Sequence, residues 1–277
     1  MKLARPDVFH PRIVLAACRG LIAGDPDDAG LVGALRRRGL HARWLAWDDP
    51  QTSRADLVIL RATRDYAERL DEFLAWTTRM RNVLNAPAVV AWNAGRGYLG
   101  DLADAGVPTV PGEAFGPGEP IRWPRTGAVY VGGTVGTGTR RCDDRPTAKA
   151  YAAGLHAAGR GVFVQPGGRG EETVLVFLGG SPSHALPHAE PDLEVWDVGA
   201  AALAAAAARV GVEVGELLYA SAHLVGNRLL DLQLVDPSLQ WGRLDPGARD
   251  LAQRDFALAV ESALERLGLG PFSHRGP

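Results

Sequence analysis

The sequence predicts a chain that begins as α/β and continues as α+β: a small parallel domain, then hairpins interleaved with helices. Three observations predict it. Over roughly the first 85 residues, short apolar runs alternate with amphipathic stretches, the βαβ pattern of a parallel sheet. A glycine run, Gly132 to Gly138, separates two segments with strand character. The stretch Leu217 to Gln240 reads as two strands around a Gly226-Asn227 turn, with polar residues spaced two apart on the second.

Ile13 to Ala17 is a short buried strand, and Asp27 or Asp28 after it can cap a helix running to about Arg38. Gly39 ends that helix. Ala42 to Trp47 and Leu57 to Leu60 are further strands, and Asp65 to Met80 is a helix with Tyr66, Leu70, Phe73, Leu74 and Thr77 along one side. In such a domain ligands gather at the carboxyl ends of the strands, where Arg19, Arg61 and Asp65 fall. A linker helix over Pro87 to Ala105 leads to a Pro/Gly-rich boundary. Ala128 to Gly132 and Thr137 to Arg141 then flank the glycine run, Pro146 opens a helix to about Ala158, and Gly161 to Gln165 is a strand. Val174 to Leu178 and Ser183 to Leu186 form a hairpin, Asp192 to Val210 a helix, and Pro246 to Leu267 the last helix. The units drawn from this are 1–86, 87–110, 111–168 and 169–277.

Composition excludes several classes. With 277 residues, 46% of them hydrophobic, and a net charge of -2, there is ample material for a layered core. The dispersed arginines do not form the concentrated positive surface that nucleic acids require. No run approaches the roughly 18 apolar residues that span a bilayer, and no apolar signal core precedes Ile13. Cys18 and Cys142 have no metal-ligand spacing. A reducing cytoplasm is therefore the expected setting. Lysine occurs only as Lys2 and Lys149, against 28 arginines.

Chemistry concentrates in two places. On an extended strand Asp231 and Gln233 share a face, and Asp236 follows beside Pro237. Oxygen ligands on one face suit Mg²⁺; an edge strand whose outer face is simply wet has the same pattern. The backbone of Gly133, Gly136 and Gly138 can approach an anion closely. No G-K-[ST] ending follows, so a flexible turn is the equal alternative. Ser181, Ser183, His184 and His188 cluster without a nucleophile elbow, which disfavours a hydrolase.

The order of motifs resembles the ATP-grasp family, in particular its small bacterial branch around the ligase that closes the cycloserine ring. The resemblance spans nearly the whole chain. It is carried by L-R-A-T-R-D-Y at Leu60 to Tyr66, V-V-A-W-N-A-G-R-G-Y-L at Val89 to Leu99, and the glycine hairpin ending T-R-R at Arg141. It continues through V-F-V-Q-P at Val162 to Pro166, the run from Gly170 to Ala185, L-L-Y-A from Leu217, and D-L-Q-L-V-D-P-S-L from Asp231. The resemblance implies an N-terminal α/β domain and two α+β subdomains that sandwich ATP and Mg²⁺. It also implies ligation of a carboxylate through an acylphosphate.

Carried over residue by residue, the resemblance puts Arg96 on the phosphates in place of a lysine. The second family lysine falls near Val131 or Gly132 and is missing. The resemblance puts the glycine hairpin over the phosphates and the adenine on the backbone at Gln165 to Gly168. The metal set becomes His223, Asp231 and Gln233, with Asp236 nearby, and Arg169, Glu171 and Glu172 stand where they could compensate. Arg140 or Arg141 is expected beside Arg96 on the phosphates and Arg61 on a small carboxylate substrate, with Arg61, Asp65 and Arg140 as the catalytic residues. Two functions follow: a carboxylate-amine ligase using ATP and Mg²⁺, or a non-catalytic homologue that binds a nucleotide, a small molecule or a partner subunit. Either is compatible with an oligomer.

Overall fold

The computed structural model describes residues 10–125, 127–136, 138–168, 170–187 and 190–270. The chain folds around three four-stranded sheets taken from successive stretches of sequence. The first contains β1 (Ile13–Ala17), β2 (Ala42–Ala46), β3 (Leu57–Ala62) and β4 (Val83–Leu84), in the order β2-β1-β3-β4 and all parallel. Its helices are α1 (Leu31–Arg37) and α2 (Leu70–Arg79). All residues of β1 and β3 are buried, as expected of parallel strands covered on both faces. Gly39 takes φ +80 just beyond α1, a conformation that costs glycine nothing.

Two local expectations are corrected here. Neither Asp27 nor Asp28 caps α1. A single 3-10 turn, Pro26–Asp28, intervenes and is capped by Asp25, so α1 starts only after Gly30. Asp27 instead accepts from the backbone N–H groups of Gln240 and Gly242, while Asp28 turns inward. The helix expected from Asp65 is a 3-10 turn, Arg64–Ala67, followed by α2 from Leu70.

The linker is also not one helix. It is α3 (Pro87–Asn93) and α4 (Tyr98–Asp104), broken at Gly95-Arg96-Gly97. Glycine on both sides of Arg96 removes the side-chain packing and backbone restriction that would carry the helix through. This break positions the site described below.

The middle sheet, β5-β8-β6-β7, is antiparallel: β5 (Glu113–Phe115), β6 (Val129–Gly133), β7 (Thr139–Cys142) and β8 (Val162–Pro166). Helix α5 (Arg145–Ala157) covers one face, its start fixed by Asp144, which accepts from the Thr147 N–H at 2.7 Å. The third sheet, β10-β9-β11-β12, consists of β9 (Glu172–Leu178), β10 (Ser181–Leu186), β11 (Tyr219–Val225) and β12 (Arg228–Gln233). Helix α6 (Leu193–Val210) lies on one side and α7 (Pro246–Arg266) on the other. Gly226 turns β11 into β12 with φ +56.

Packing joins the ends of the chain. One core unites Leu15 and Ile59 of the first sheet with Val176 and Tyr219 of the third and with Trp241, Phe256 and Val260 near the C-terminus. Fully burying each such side chain contributes on the order of 1.5–3 kcal/mol. Beneath the other face of the first sheet, Trp47, Tyr66, Phe73 and Trp76 form an aromatic cluster, with Tyr66 stacked on Phe73 at 5.2 Å. A small cluster of Val110, Tyr130, Val225 and Leu230 seals the middle sheet to the third. Among the described residues no helix is long and apolar enough to cross a membrane.

Candidate functional site

The three sheets meet at the helix break. Asn93, the last residue of α3, donates to Leu232 O at 2.9 Å and accepts from Leu234 N at 2.7 Å, so it clamps the end of β12. Immediately after it the chain pairs with the glycine loop. Gly95 bridges Val135, Arg96 N donates to Thr134 O at 3.0 Å, and Gly136 N donates to Ala94 O at 3.0 Å. Two amides expected to cradle phosphates are therefore bonded within the protein, since Thr134 N likewise donates to Gly161 O at 3.2 Å.

The carbonyls of the loop turn the other way, onto arginines. Arg96 Nη2 donates to Gly138 O at 3.2 Å and its Nε to Gly133 O at 3.5 Å; Arg160 Nη2 donates to Val135 O at 3.2 Å. Glycine makes room for both guanidinium groups. A Cβ on Gly132 would stand 3.5 Å from Arg96 Nη2 and 2.9 Å from Gly138 O; one on Gly133 would stand 2.8 Å from Arg160 Nη2. The inward-facing position of β6 is thus Gly132, and the Arg96 guanidinium occupies the space in front of it. Val131, by contrast, packs under α5 with Ala148 and Ala152. Arg140, opposite Val131, lies over the Tyr151 ring on that same outer face, so it is not brought to the cleft.

Arg96 has a carboxylate partner. Its Nη1 donates to Asp231 Oδ1, which also accepts from the Tyr98 hydroxyl, while Gln233 Nε2 donates to Asp231 Oδ2 at 3.0 Å. Tyr98 in turn accepts from Leu232 N at 3.1 Å. Burial alone would push the Asp231 carboxyl up, but Arg96, His223 and these hydrogen bonds outweigh it and hold the carboxyl below its ordinary value. The phosphate cation and the metal carboxylate expected from the sequence are therefore brought together, and each satisfies the other.

The remaining residues fall into separate groups. Gln165 is fully buried, and its Nε2 donates to Val110 O at 3.0 Å and Leu230 O at 2.9 Å, tying the middle sheet to the linker and to β12. Gly168 sits against Val225, whose Cγ1 would be 2.8 Å from an added Cβ. The space between the sheets here is filled by Tyr130, Val225 and Leu230. Arg61 is also buried: it donates to Asp28 Oδ1 at 2.7 Å and to Pro237 O at 3.0 Å, and lies over Tyr219 and Trp241. Asp65 accepts from Trp47 Nε1 at 2.9 Å. Neither Arg61 nor Asp65 reaches the Arg96–Asp231 pair. Asp236 accepts from Thr63 N at 2.7 Å, and burial raises its carboxyl above the ordinary value.

His223, expected among the metal ligands, is held by Glu172 at 2.6 Å and by Ser221 at 3.2 Å. Arg169 and His188 lie outside the described residues. Among the described residues no three His, Cys, Asp or Glu side chains converge closely enough to hold a metal ion. Both oxygens of Asp231 are occupied and Asp236 faces a backbone amide, so this donor set does not fit Mg²⁺, which keeps water and free carboxylates around it.

A cleft of about 380 Å³ is lined by Arg64, Glu68, Gly136, Arg160, His223 and Asp236 among others, and a second cavity of about 620 Å³ is lined by Gly95, Arg96, Gly97, Thr134 and Phe163 among others. Glu172, which the sequence offers as a compensating group in the metal set, instead orients His223. Sequence reading missed three other residues that shape this region. Tyr98 caps Asp231, and its place two residues after Arg96 was the available signal. Arg160 enters the glycine loop, and Tyr66 buries its hydroxyl without a hydrogen-bond partner among the described residues. Tyr66 had looked like an ordinary apolar-face residue. Arg160 carried no local signal.

Comparison with known proteins agrees with this architecture. Residues 13–85 match the family described as D-cycloserine synthetase DcsG, N-terminal domain. The cycloserine biosynthesis protein DcsG of Streptomyces lavendulae is 28% identical over an alignment covering 83% of this chain and 92% of that protein. The crystal structure of D-cycloserine synthetase DcsG superposes with a TM-score of 0.73 at 28% identity, covering 92% of this chain and 99% of the other. D-alanine–D-alanine ligase from Bacillus anthracis in complex with ATP gives 0.65 at 11% identity over 93% and 98% of the two chains. The ATP-grasp ligase PsnB with minimal precursor, Mg and ADP gives 0.54 at 17% identity over 90% and 98%. The last two show likeness of fold alone. The motif order, the three-sheet architecture and these likenesses support an ATP-grasp family member.

Proposed function

We propose that this chain is a non-catalytic ATP-grasp homologue that binds a small molecule and does not carry out Mg²⁺- and ATP-dependent ligation. The observation that carries this reading is the Arg96–Asp231 pair. Phosphoryl transfer needs cations on the phosphates and carboxylates on the metal at the same time. Here one cation and one carboxylate neutralise each other, and the second cation position is Gly132. Loss of a single donor aimed at transition-state charge costs about 10²- to 10³-fold in rate, so losses on both sides remove useful turnover. The units 1–86, 87–110, 111–168 and 169–277 are taken as the parts that close around the cleft, and the free Cys18 and Cys142 favour a reducing cytoplasm.

A second reading, a carboxylate-amine ligase using ATP and Mg²⁺, is favoured by one observation: a cleft with arginines persists where the three sheets meet. In that reading Arg96 leaves Asp231 when nucleotide enters. Asp231, Gln233 and Asp236 then take the metal, and Arg96 with Gly133, Gly136 and Gly138 takes the phosphates. The base lies against the backbone at Gln165 to Gly168, Arg140 or Arg141 joins Arg96 on the phosphates, Arg61 orients the carboxylate substrate, and Asp65 completes the catalytic set. ADP release from Mg²⁺-ATP, measured over a panel of small amino and hydroxy acids with amine acceptors, separates the two. No release above buffer is expected. Release that requires both an acid and Mg²⁺, and that is lost in Asp231→Asn, establishes the ligase.

A further inference from the structure

We propose that the open edge of β2 is a self-association surface, on which a second copy of this chain adds its own β2, antiparallel, across a two-fold axis at Trp44. β2 supplies none of the residues that line the cleft, so the inference does not depend on which function the cleft serves.

A sheet edge presents a row of unpaired N–H and C=O groups, and proteins blunt it by shortness, charge, proline, a bulge or a cover. Among the described residues, every sheet edge but one carries such a device. β4 has two residues and β5 has three. β7 exposes Arg140 and Arg141, and β10 contains Pro182 with a register shift beside it. β12 is covered by the linker, where Leu229 N donates to Pro108 O at 2.7 Å and Val110 N donates to Leu229 O at 2.8 Å. β2 has five residues, no proline, no register shift and a single charge, Arg43.

The free groups on this edge form a self-complementary set. Trp47 N donates to Ala17 O at 2.8 Å, and successive residues of a strand turn their backbone groups to opposite sides. Arg43 and Leu45 therefore bond β1, while Ala42, Trp44 and Ala46 face outward. Ala42 N already donates to Leu40 O at 3.2 Å, and Ala46 O already accepts from Asp49 N at 3.0 Å and from Thr52 Oγ1 at 2.9 Å. Without a partner among the described residues are Ala42 O, Ala46 N and both backbone groups of Trp44. An antiparallel copy centred on Trp44 sets Trp44 against Trp44 and Ala42 against Ala46. Opposed residues of a hydrogen-bonded pair exchange their N–H and C=O groups, so the tryptophans close one reciprocal pair, and each Ala46 N closes on the other copy's Ala42 O. A strand from another protein would present groups that the engaged Ala42 N and Ala46 O cannot answer. A second β2 lacks the same two.

Side chains agree. Ile22 is 58% exposed, and in the same loop Gly24 lies against the Trp44 ring, where a Cβ would meet Cζ2 at 2.5 Å. Ile22 and the half-buried Trp44 are apolar surface that a second copy would cover. His41 and Arg43 stand at the start of the strand and Asp48 and Asp49 past its end, so antiparallel pairing puts the basic end of each copy beside the acidic end of the other. An edge of this length makes an interface below about 1,200 Å², the size of transient association, so a dissociation constant in the micromolar range is expected.

Sedimentation equilibrium of the full chain, from micromolar to several hundred micromolar, should show a reversible monomer–dimer equilibrium. In the two-fold register Leu45 lies opposite Arg43 of the partner subunit. Leu45→Lys should therefore dimerise about tenfold more weakly than Leu45→Glu, because like charges directly opposite on a sheet repel and unlike charges attract. Lost packing of Leu45 would act on both variants alike, so the difference reads the register. Hydrogen exchange needs no variant: the amides of Trp44 and Ala46 should exchange several-fold more slowly in the concentrated sample than in the dilute one, and the amide of Ala42 should not change. A chain that stays monomeric throughout, equal dimerisation of the two Leu45 variants, or a dimer whose Trp44 amide exchanges as fast as in the monomer overturns the proposal.

Discussion

Among the described residues two buried arginine–aspartate pairs, Arg61–Asp28 and Arg96–Asp231, are satisfied to different degrees. At the junction of the first sheet with the C-terminal helix, Arg61 donates twice to one oxygen of Asp28, and the other oxygen has no partner among the described residues. Burial, with Asp236 and Asp27 nearby, raises the Asp28 carboxyl to about 6 despite Arg61. At the junction of the middle and third sheets both oxygens of Asp231 are bonded and its carboxyl is held low. A working metal or phosphate site would leave its charges available, whereas a structural pair would be complete. Here the Arg96–Asp231 pair is the complete one and the Arg61–Asp28 pair is not. On the non-catalytic reading proposed above, that difference is what a site absorbed into the packing of the fold would show.

Breaking each pair should have the largest effect. Arg61→Met leaves Asp28 buried beside Tyr219 and Trp241 and should cost about 3–5 kcal/mol in urea denaturation. Arg96→Met should cost a similar amount, but the double variant Arg96→Met/Asp231→Leu should recover to within about 1 kcal/mol of the natural chain, because a complete buried pair is often replaceable by apolar groups. Failure of the double variant to recover would mean that Arg96 and Asp231 serve something other than each other.

Next come opposite responses to pH. Asp28 binds its proton more tightly in the folded than in the unfolded chain, so its contribution is full below about pH 4 and is lost as pH rises through about 6. Stability relative to Asp28→Asn should therefore fall by on the order of 2 kcal/mol between about pH 4 and about pH 7. The Asp231 carboxyl is depressed, so its contribution is present above the ordinary carboxylate range and is lost as pH falls through its folded value. Stability relative to Asp231→Asn should change in the reverse sense on acidification. The same sign for both would erase the contrast. The smallest effect is expected at Gly132→Ala, where the new methyl meets Gly138 O and crowds Arg96; about 1–2 kcal/mol should be lost, read as a lower denaturant midpoint.

Much of the fold was legible because strand and helix signals are local. The runs Ile13 to Ala17, Leu57 to Leu60 and Val174 to Leu178 lie within observed strands, and the glycine hairpin and the Gly226 turn stand where the sequence puts them. The helix expected across 87–105 failed on Gly95 and Gly97, a signal that was present but outweighed by the apolar residues on either side. Asp28 looked like a cap because its partner, Arg61, is remote in sequence. The site was legible as a set of residues but not in its connections. Arg96 and Asp231 were both singled out, yet nothing local says that one would neutralise the other across 135 positions. The surroundings of Tyr66 and Arg160 stayed invisible for the same reason, since a hydroxyl without a partner among the described residues and a guanidinium held by a loop carbonyl are defined only by remote neighbours.

The central claim is that Arg96 and Asp231 belong to each other and not to a magnesium nucleotide. The most direct measurement is the melting temperature of the full chain in a titration with ATP, with and without Mg²⁺, since a ligand that binds the native state raises Tm by mass action. The account predicts no Mg²⁺-dependent rise at millimolar ATP. A saturable rise that requires Mg²⁺ and vanishes in Asp231→Ala would contradict it.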